Sequence, residues 1–195
     1  MALSQPVARE ALHVREIVMT GYRREDGLYD IEAHLVDTKT YGFSNTDRGR
    51  VEPGVPLHGM WARMTLDDDM LIVAFEASTE FSPYSICPQA TPNFTRLAGL
   101  RVGRGFVRLA NERIGGVHGC THIREMLGQM GTVAYQTLYS IRQKREQAAN
   151  ATSTGDVETA SVTVEGRPAN LGTCLAYAPN SPIVKRHWPE HYTGG

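Results

Sequence analysis

The chain has 195 residues, 41% of them hydrophobic and 21% charged, with a formal net charge of −1 at pH 7. These values are typical of a globular protein with a buried core, and the balanced charge predicts neither nucleic acid nor an anionic membrane as a partner. Because no apolar run could span a bilayer and the three cysteines form no CxxC pair, we expect a cytoplasmic protein with reduced thiols.

The first predicted elements are two strands, at residues 12–24 and 28–41. They flank Asp26-Gly27, a dipeptide that is typical of tight hairpins. A two-residue loop at this point would place Met19 opposite His34. The pattern therefore predicts an antiparallel hairpin near the start of the chain.

A second strand pair is predicted at residues 58–66 and 70–78, where apolar and polar residues alternate. Residues 42–57, which are rich in Gly, Pro, Asn and charge, predict a long loop between the two hairpins. The first half of the chain is therefore expected to form an antiparallel sheet of about four strands.

The second half changes to a helical period. Cys87-Pro88 predicts a helix start, and a further helix is expected at about 105–113. The clearest helix begins at Thr121 and ends near Gln147. Its apolar residues fall at a helical spacing: Ile123, Met126, Leu127, Met130, Ala134, Leu138 and Ile141. The expected fold class is α+β, with the N-terminal sheet packed by helices of the C-terminal half.

Three regions follow from composition. Residues 1–147 are predicted to form the main domain, and residues 148–160, rich in small polar side chains, a flexible linker. Residues 161–195 are predicted to be a C-terminal extension packed on the domain, with strand-like pieces near 162–164, 174–177 and 183–184.

The strongest candidate site lies at the start of the long helix. A glycine-rich turn leads into Cys120, Thr121, His122 and Glu125. With Thr121 as N-cap, His122 and Glu125 would share one helix face, and Cys120 would lie where the helix dipole favours a thiolate. The pattern fits a metal site, a Cys nucleophile with His122 as its base, or simple packing of a small buried thiol.

Histidines of the sheet could complete this site. His34 is flanked by Glu32 and Asp37, which could orient its imidazole as a base or metal ligand facing His122. His58 and Trp61 follow a Pro-Gly-Val-Pro loop and are predicted to line the substrate pocket. The alternative for His34, and likewise for His13, is a polar residue on a solvent-facing strand.

A run of arginines could hold an anionic group of the substrate. Arg101, Arg104 and Arg108 lie near Gly103 and Gly105, just before and within the helix expected at 105–113. Guanidinium groups bind carboxylates and phosphates in a two-pronged geometry. The alternative is a solvated basic helix face.

Several short motifs together resemble an uncharacterised bacterial family catalogued as domain of unknown function 2889. They are Gly21-Tyr22-Arg23-Arg24, the stretch from Asp26 to Lys39, Pro56-Leu57-His58, Met60-Trp61 and Gly119-Cys120-Thr121-His122, together with His13, Arg15, Cys87-Pro88 and Pro92-Asn93. The resemblance covers about residues 10–140. It departs at Gly59, where an acid is expected, and at Leu175, where a His is expected.

The resemblance implies a function only by association, because members accompany genes for aromatic or acyl-CoA breakdown. We therefore expect a small-molecule enzyme, a lyase or hydrolase of aromatic or acyl substrates. Its expected catalytic residues are His34, Cys120, His122 and Glu125. The alternative is a metal- or sulfur-carrier module similar to iron–sulfur scaffold proteins.

One divalent metal ion, zinc or iron, is a candidate cofactor, with His34, Cys120 and His122 as its candidate ligands. A homo-oligomer is also expected. A third hypothesis is a structural partner protein in which these residues only pack.

Overall fold

A computed structural model of the protein describes residues 3–151, 163–164, 167–168 and 170–194. The chain divides into two compact units, Met1–Thr137 and Leu138–Gly195. Among the described residues, no helix combines the length and the apolar character that crossing a bilayer would need.

The described residues of the first unit form six strands. They are β1 (His13–Arg23), β2 (Tyr29–Lys39), β3 (Phe43–Asn45), β4 (Gly49–Val51), β5 (His58–Leu66) and β6 (Ile72–Phe81). Four of them form an antiparallel sheet in the order β1-β2-β5-β6. β3 and β4 form a separate hairpin inside the region predicted as a long loop, so the loop prediction is wrong in that part.

Helices follow the sheet, as predicted. They are a 3-10 helix at Cys87–Leu97, α1 at Phe106–Ile114 and α2 at Thr121–Ala151. The N-terminal sheet and the later helices confirm the α+β class.

The core lies on one face of the sheet. On β2, the alternate residues Tyr29, Ile31, Ala33 and Leu35 are buried, and the residues between them are only half-buried. The apolar stripe of α2 supplies further buried side chains: Ile123, Met126, Leu127, Met130 and Ala134. Burial of each large apolar side chain contributes about 1.5–3 kcal/mol. We call the face that carries Leu35 the core face and the opposite face, which carries His34, the outer face.

The register of the first hairpin differs from the prediction by one residue. Met19 lies opposite Ala33 instead of His34. The predicted two-residue loop is wrong, because the carboxylate of Asp26 accepts the N–H of Leu28 and Gly27 takes a φ of 87°. This local turn lengthens the connection between the strands. A one-residue shift changes every cross-strand neighbour, and this shift fixes the candidate site described below.

The second unit contains short elements. β7 (Thr163–Val164) pairs with β8 (Arg167–Pro168), and α3 spans Pro182–His187. The strand-like pieces predicted at 174–177 and 183–184 are wrong. The former contains a 3-10 turn, and the latter lies in α3, where Pro182 at the first turn and the N-cap Ser181 favour a helix.

Most of the predicted linker, residues 152–160, lies outside the described residues, and residues 148–151 belong to α2, which extends to Ala151. The packing of the C-terminal extension on the main domain stays a prediction.

Candidate functional site

Three charged or polar side chains form a row across the core face of the sheet. In the strand register, Arg15 on β1 lies opposite Asp37 on β2, and Asp37 lies opposite His58 on β5. Residues at directly opposed positions have side chains on the same face and within contact distance. The row continues the alternation of the buried β2 residues, so an acid takes the place of the next core side chain.

Asp37 is an ion-paired carboxylate with only 1% of its surface exposed. Arg15 donates to it in a two-pronged geometry, from Nε to Oδ1 at 2.7 Å and from Nη2 to Oδ2 at 2.8 Å. His13 adds a contact from Nε2 to Oδ1 at 3.3 Å. Burial opposes ionisation, but the hydrogen bonds and charge of Arg15 outweigh it and lower the pKa of the Asp37 carboxyl. Asp37 is therefore an anion at neutral pH.

His58 is oriented by that anion. Its Nδ1 lies 3.0 Å from Oδ2 of Asp37. Because an ionised carboxylate only accepts hydrogen bonds, Nδ1 carries the proton and Nε2 keeps its lone pair. Burial and the neighbouring His122 lower the pKa of His58, although Asp37 acts in the opposite direction. The neutral imidazole is the form favoured at pH 7.

The start of α2 brings a second imidazole to the row. The ring centroid of His122 lies 3.8 Å from that of His58, and its Nε2 lies 3.7 Å from Oδ2 of Asp37. Burial, followed by the charge of Arg15, lowers the pKa of His122. Two neutral imidazoles therefore face each other beside one buried anion.

Glu125 and Cys120 complete the helix side of the site. Glu125 accepts a hydrogen bond from Nη1 of Arg15 at 2.6 Å, and the Sγ of Cys120 lies 3.9 Å from Nδ1 of His122. We call Arg15, Asp37, His58, His122 and Glu125 the Asp37 cluster. Since Arg15 contacts both Asp37 and Glu125, it joins the sheet to the first turns of α2.

The entry to α2 depends on a close backbone approach. A Cβ atom at Gly119 would lie 2.2 Å from the carbonyl oxygen of Ile114, so only glycine fits the turn before Cys120. The carbonyl of Cys120 accepts the N–H of Arg124 at 3.0 Å, the first bond of the helix. Cys120 thus holds the N-cap position, and the prediction of Thr121 as N-cap is wrong.

His34 does not join this cluster. It lies on the outer face, one residue out of phase with Leu35, and its ring stacks on Trp61 with centroids 3.7 Å apart and planes within 7°. Side chains of adjacent strand residues point to opposite faces of a sheet. The structure therefore does not bring His34 and His122 into one pocket, and Trp61 lies with His34. A shallow groove of about 240 Å³ lies beside Trp61 on this face, with Glu32 and Arg63 in its lining.

The predicted arginine clamp also lies elsewhere. Arg101 donates to the carbonyl of Asp69, Arg108 pairs with Glu112 on its own helix, and Arg104 is exposed. In the described part of the chain, none of these three arginines contacts the Asp37 cluster.

Asp37 and Arg15 are the central pair of the site, although the sequence pattern predicts Asp37 only as a partner of His34. Arg15 is indicated by the family resemblance alone. One signal was available, because Asp37 falls two residues after Leu35 and so continues the buried alternation of β2. An acid in phase with a core stripe predicts a buried, paired carboxylate.

Part of the cluster has a donor set suited to a metal ion. One ligand atom each from Asp37, His58 and His122 lies within 4.8 Å of the others. Carboxylate and imidazole ligands suit zinc or iron, with further positions open to water or substrate. The two-pronged contact from Arg15 would compete with a cation for the same carboxylate.

The comparison with protein families supports the resemblance noted from the motifs. The family model described as a protein of unknown function (DUF2889) matches residues 13–136. The chain belongs to the DUF2889 family. No curated protein matches the chain, and no solved structure matches it. The DUF2889 match covers every residue of the Asp37 cluster and also Cys120.

Proposed function

We propose that this DUF2889 protein is a small-molecule enzyme, a lyase or hydrolase of aromatic or acyl substrates, in which His58 is the general acid–base residue. The observation that carries the proposal is the 3.0 Å contact between Nδ1 of His58 and the buried carboxylate of Asp37. A carboxylate that holds Nδ1–H fixes the tautomer and orientation of an imidazole and stabilises the imidazolium that forms during proton transfer.

The proton balance differs between the two reaction types. In a hydrolase, Nε2 of His58 takes a proton from water while the water oxygen attacks the acyl carbon, and the imidazolium then protonates the leaving group. In a lyase, Nε2 takes a proton from the carbon next to a carbonyl, and the electron pair forms a double bond. The group on the neighbouring carbon departs with the proton from the imidazolium. Both routes need a base that is neutral before the reaction, and the lowered pKa of His58 supplies one.

The second imidazole and the thiol suggest how the two reaction types can be separated. His122 faces His58, and its Nδ1 lies 3.9 Å from the Sγ of Cys120. A thiol beside a histidine can act as a nucleophile and carry the acyl group as a thioester. A hydrolase that uses this thiol loses turnover in Cys120→Ser, whereas a lyase, or a hydrolase in which water attacks directly, keeps turnover in that variant. Release of a carboxylic acid or of an unsaturated product then separates the last two.

The test is a screen of aromatic acids and acyl-CoA esters followed by kinetics of His58→Gln. We expect kcat/KM to fall by about 100-fold or more, the usual contribution of a positioned acid–base group. His118→Gln is the matched control, because His118 is exposed on the turn before α2 and lies outside the cluster. Equal activity of the two variants would contradict the assignment of His58.

A metal-binding protein is the second candidate, favoured by the mutual distances within the cluster. The Oδ2 of Asp37 lies 3.0 Å from Nδ1 of His58 and 3.7 Å from Nε2 of His122. Ligands about 2.0–2.2 Å from a common zinc ion have separations of this order. Such a site could serve an enzyme or a carrier of metal or sulfur without turnover.

Metal analysis of protein purified without chelator tests this candidate. We expect stoichiometric zinc or iron that is lost in His122→Ala and retained in His118→Ala. Wild-type protein without metal, and without a zinc-induced rise in thermal stability, would contradict it. We further propose a cytoplasmic location, which the three free thiols support. A homo-oligomer stays a prediction.

A further inference from the structure

We propose that the Asp37 cluster binds the carboxylate group of an organic acid, and that Glu125 occupies the position of this carboxylate in the free protein. This carboxylate site uses Nη1 of Arg15 as its anchor. Its role as a substrate site depends on the enzyme proposed above, whereas its capacity to bind a carboxylate does not.

Arg15 binds two carboxylates, one of them buried and firmly held and the other exposed and free to exchange with a ligand. Nε and Nη2 hold Asp37, which is 1% exposed and lies on the core face of the sheet. Nη1 holds Glu125, whose side chain is 56% exposed. A buried charge is costly to separate from its partner, whereas an exposed ion pair contributes little and exchanges readily. A ligand carboxylate can therefore displace Glu125 from Nη1 of Arg15.

The donor geometry fits an incoming carboxylate. Among the described residues, the three hydrogen bonds of Arg15 leave two of the five guanidinium N–H groups unused, one on Nη1 and one on Nη2. Displacement of Glu125 would free a further N–H on Nη1. A ligand carboxylate could then bind through Nη1 and Nη2 in the two-pronged geometry that guanidinium groups favour.

The charge balance favours the exchange of one carboxylate for another. With neutral imidazoles, the cluster contains one cation, Arg15, and two anions, Asp37 and Glu125. A ligand carboxylate that replaces Glu125 at Nη1 keeps two anions in contact with Arg15, with the displaced Glu125 carboxylate in solvent, whereas a neutral ligand at that position leaves Arg15 in contact with one anion. The site therefore selects a singly charged anion over a neutral analogue.

The position also suits the proposed chemistry. Glu125 lies three residues after His122 on α2, and the His122 ring faces His58 at 3.8 Å. Side chains three residues apart on a helix are neighbours. A carboxylate held in place of Glu125 would therefore lie beside His122, whose ring in turn faces His58. This arrangement assigns to Arg15 the anion-binding role that the sequence pattern predicts for Arg101, Arg104 and Arg108.

The test is calorimetric titration of the full-length protein with benzoate, benzamide and inorganic phosphate at pH 7. We expect benzoate to bind at least tenfold more tightly than benzamide. Glu125→Gln removes the competing carboxylate and should tighten benzoate binding about three- to fivefold, the size expected for an exposed ion pair.

The matched control is Glu112→Gln. Glu112 is also a helical glutamate paired with an arginine, and its side chain is also 56% exposed. Glu112→Gln removes a carboxylate of the same exposure away from Arg15, so it should leave the affinity for benzoate unchanged. Arg15→Lys, which keeps the charge but removes the fork, should weaken benzoate binding, and the Glu125→Gln comparison still decides if that variant does not fold.

Three results would overturn the inference: equal affinity for benzoate and benzamide, equal affinity of Glu125→Gln and Glu112→Gln, or phosphate bound more tightly than benzoate. Failure of the proposed enzyme is distinguishable from these results. If benzoate binds but no acid is turned over, the proposed enzymatic function is contradicted and the proposed carboxylate site is supported. Turnover that requires His58 but is insensitive to Glu125→Gln would count against the site alone.

Discussion

Arg15 and Asp37 lie directly opposite each other on adjacent strands, and two N–H groups of Arg15 hold both oxygens of the Asp37 carboxylate. This pair allows a charged group to lie on the core face, since a buried carboxylate needs a paired, hydrogen-bonded partner. It also provides the fixed anion beside which His58 and His122 meet.

Asp37→Asn should destabilise the protein strongly. The substitution keeps the size of the side chain but leaves Arg15 without its buried partner. We expect a loss of about 2–3 kcal/mol in the free energy of unfolding, less than for a fully buried pair because Arg15 is partly exposed. Urea unfolding measures it. Asp26→Asn, at an exposed turn carboxylate that pairs with Arg24, is the control and should have little effect. Equal losses in the two variants would be inconsistent with a buried ion pair at Asp37.

Stability should fall in two steps as the pH is lowered. The pKa values of His58 and His122 are lowered in the folded protein, so the unfolded chain binds more protons just below about pH 6.5. The free energy of unfolding should therefore decrease as the pH falls from 7 through this range. A second decrease should follow below about pH 4, as the pH falls through the lowered pKa of Asp37.

The same unfolding series in His58→Gln provides the check on the first step. This variant should show a smaller decrease between pH 7 and 5 than the wild type, because one of the two shifted histidines is gone. A wild-type protein that becomes more stable as the pH falls from 7 to 6 would contradict the lowered pKa values.

Close packing of β1 on α2 should make Gly21→Ala destabilising. A Cβ at Gly21 would lie 1.9 Å from Oγ1 of Thr137, so the helix or the strand must shift. We expect a loss of about 1–3 kcal/mol, as for other overpacked sites. Adding Thr137→Ala to the Gly21→Ala variant should restore part of the lost free energy of unfolding.

Gly128→Ala is the opposite case on the same helix. A Cβ at Gly128 meets nothing closer than a Val107 methyl at 3.7 Å, so the gain in helix propensity should raise stability by about 0.5–1 kcal/mol. Thermal or urea unfolding of both glycine variants measures the effects. Destabilisation by Gly128→Ala, or none by Gly21→Ala, would show that α2 packs differently.

The fold was predictable to the level of class because its signals are local. The alternation of Tyr29 with its neighbours and the apolar stripe of α2 depend only on the spacing of side chains. The hairpin register was not predictable from Asp26-Gly27, because the hydrogen bond of the Asp26 side chain lengthens the turn. Turn chemistry sets the register, and the register decides which polar side chains meet.

The candidate site was half predictable for the same reason. The segment from Cys120 to Glu125 could be found as a glycine-preceded helix start, and three of its side chains do meet or adjoin the cluster. Its sheet partner could not be found correctly, since His34 and Asp37 differ by an odd number of strand positions and so lie on opposite faces. The contact of His58 with Asp37 depends on the pairing of β2 with β5, which is non-local.

The most direct measurement is the protonation state of His58, read from long-range ¹H–¹⁵N correlations of ¹⁵N-histidine-labelled protein and assigned by comparison with His58→Gln. At pH 7.5 we expect a neutral imidazole with its proton on Nδ1, held by Asp37, and a titration midpoint below 6.5. An imidazole protonated on Nε2 alone, or a His58 that is already charged at pH 7, would contradict the central claim that Asp37 holds His58 as a neutral base.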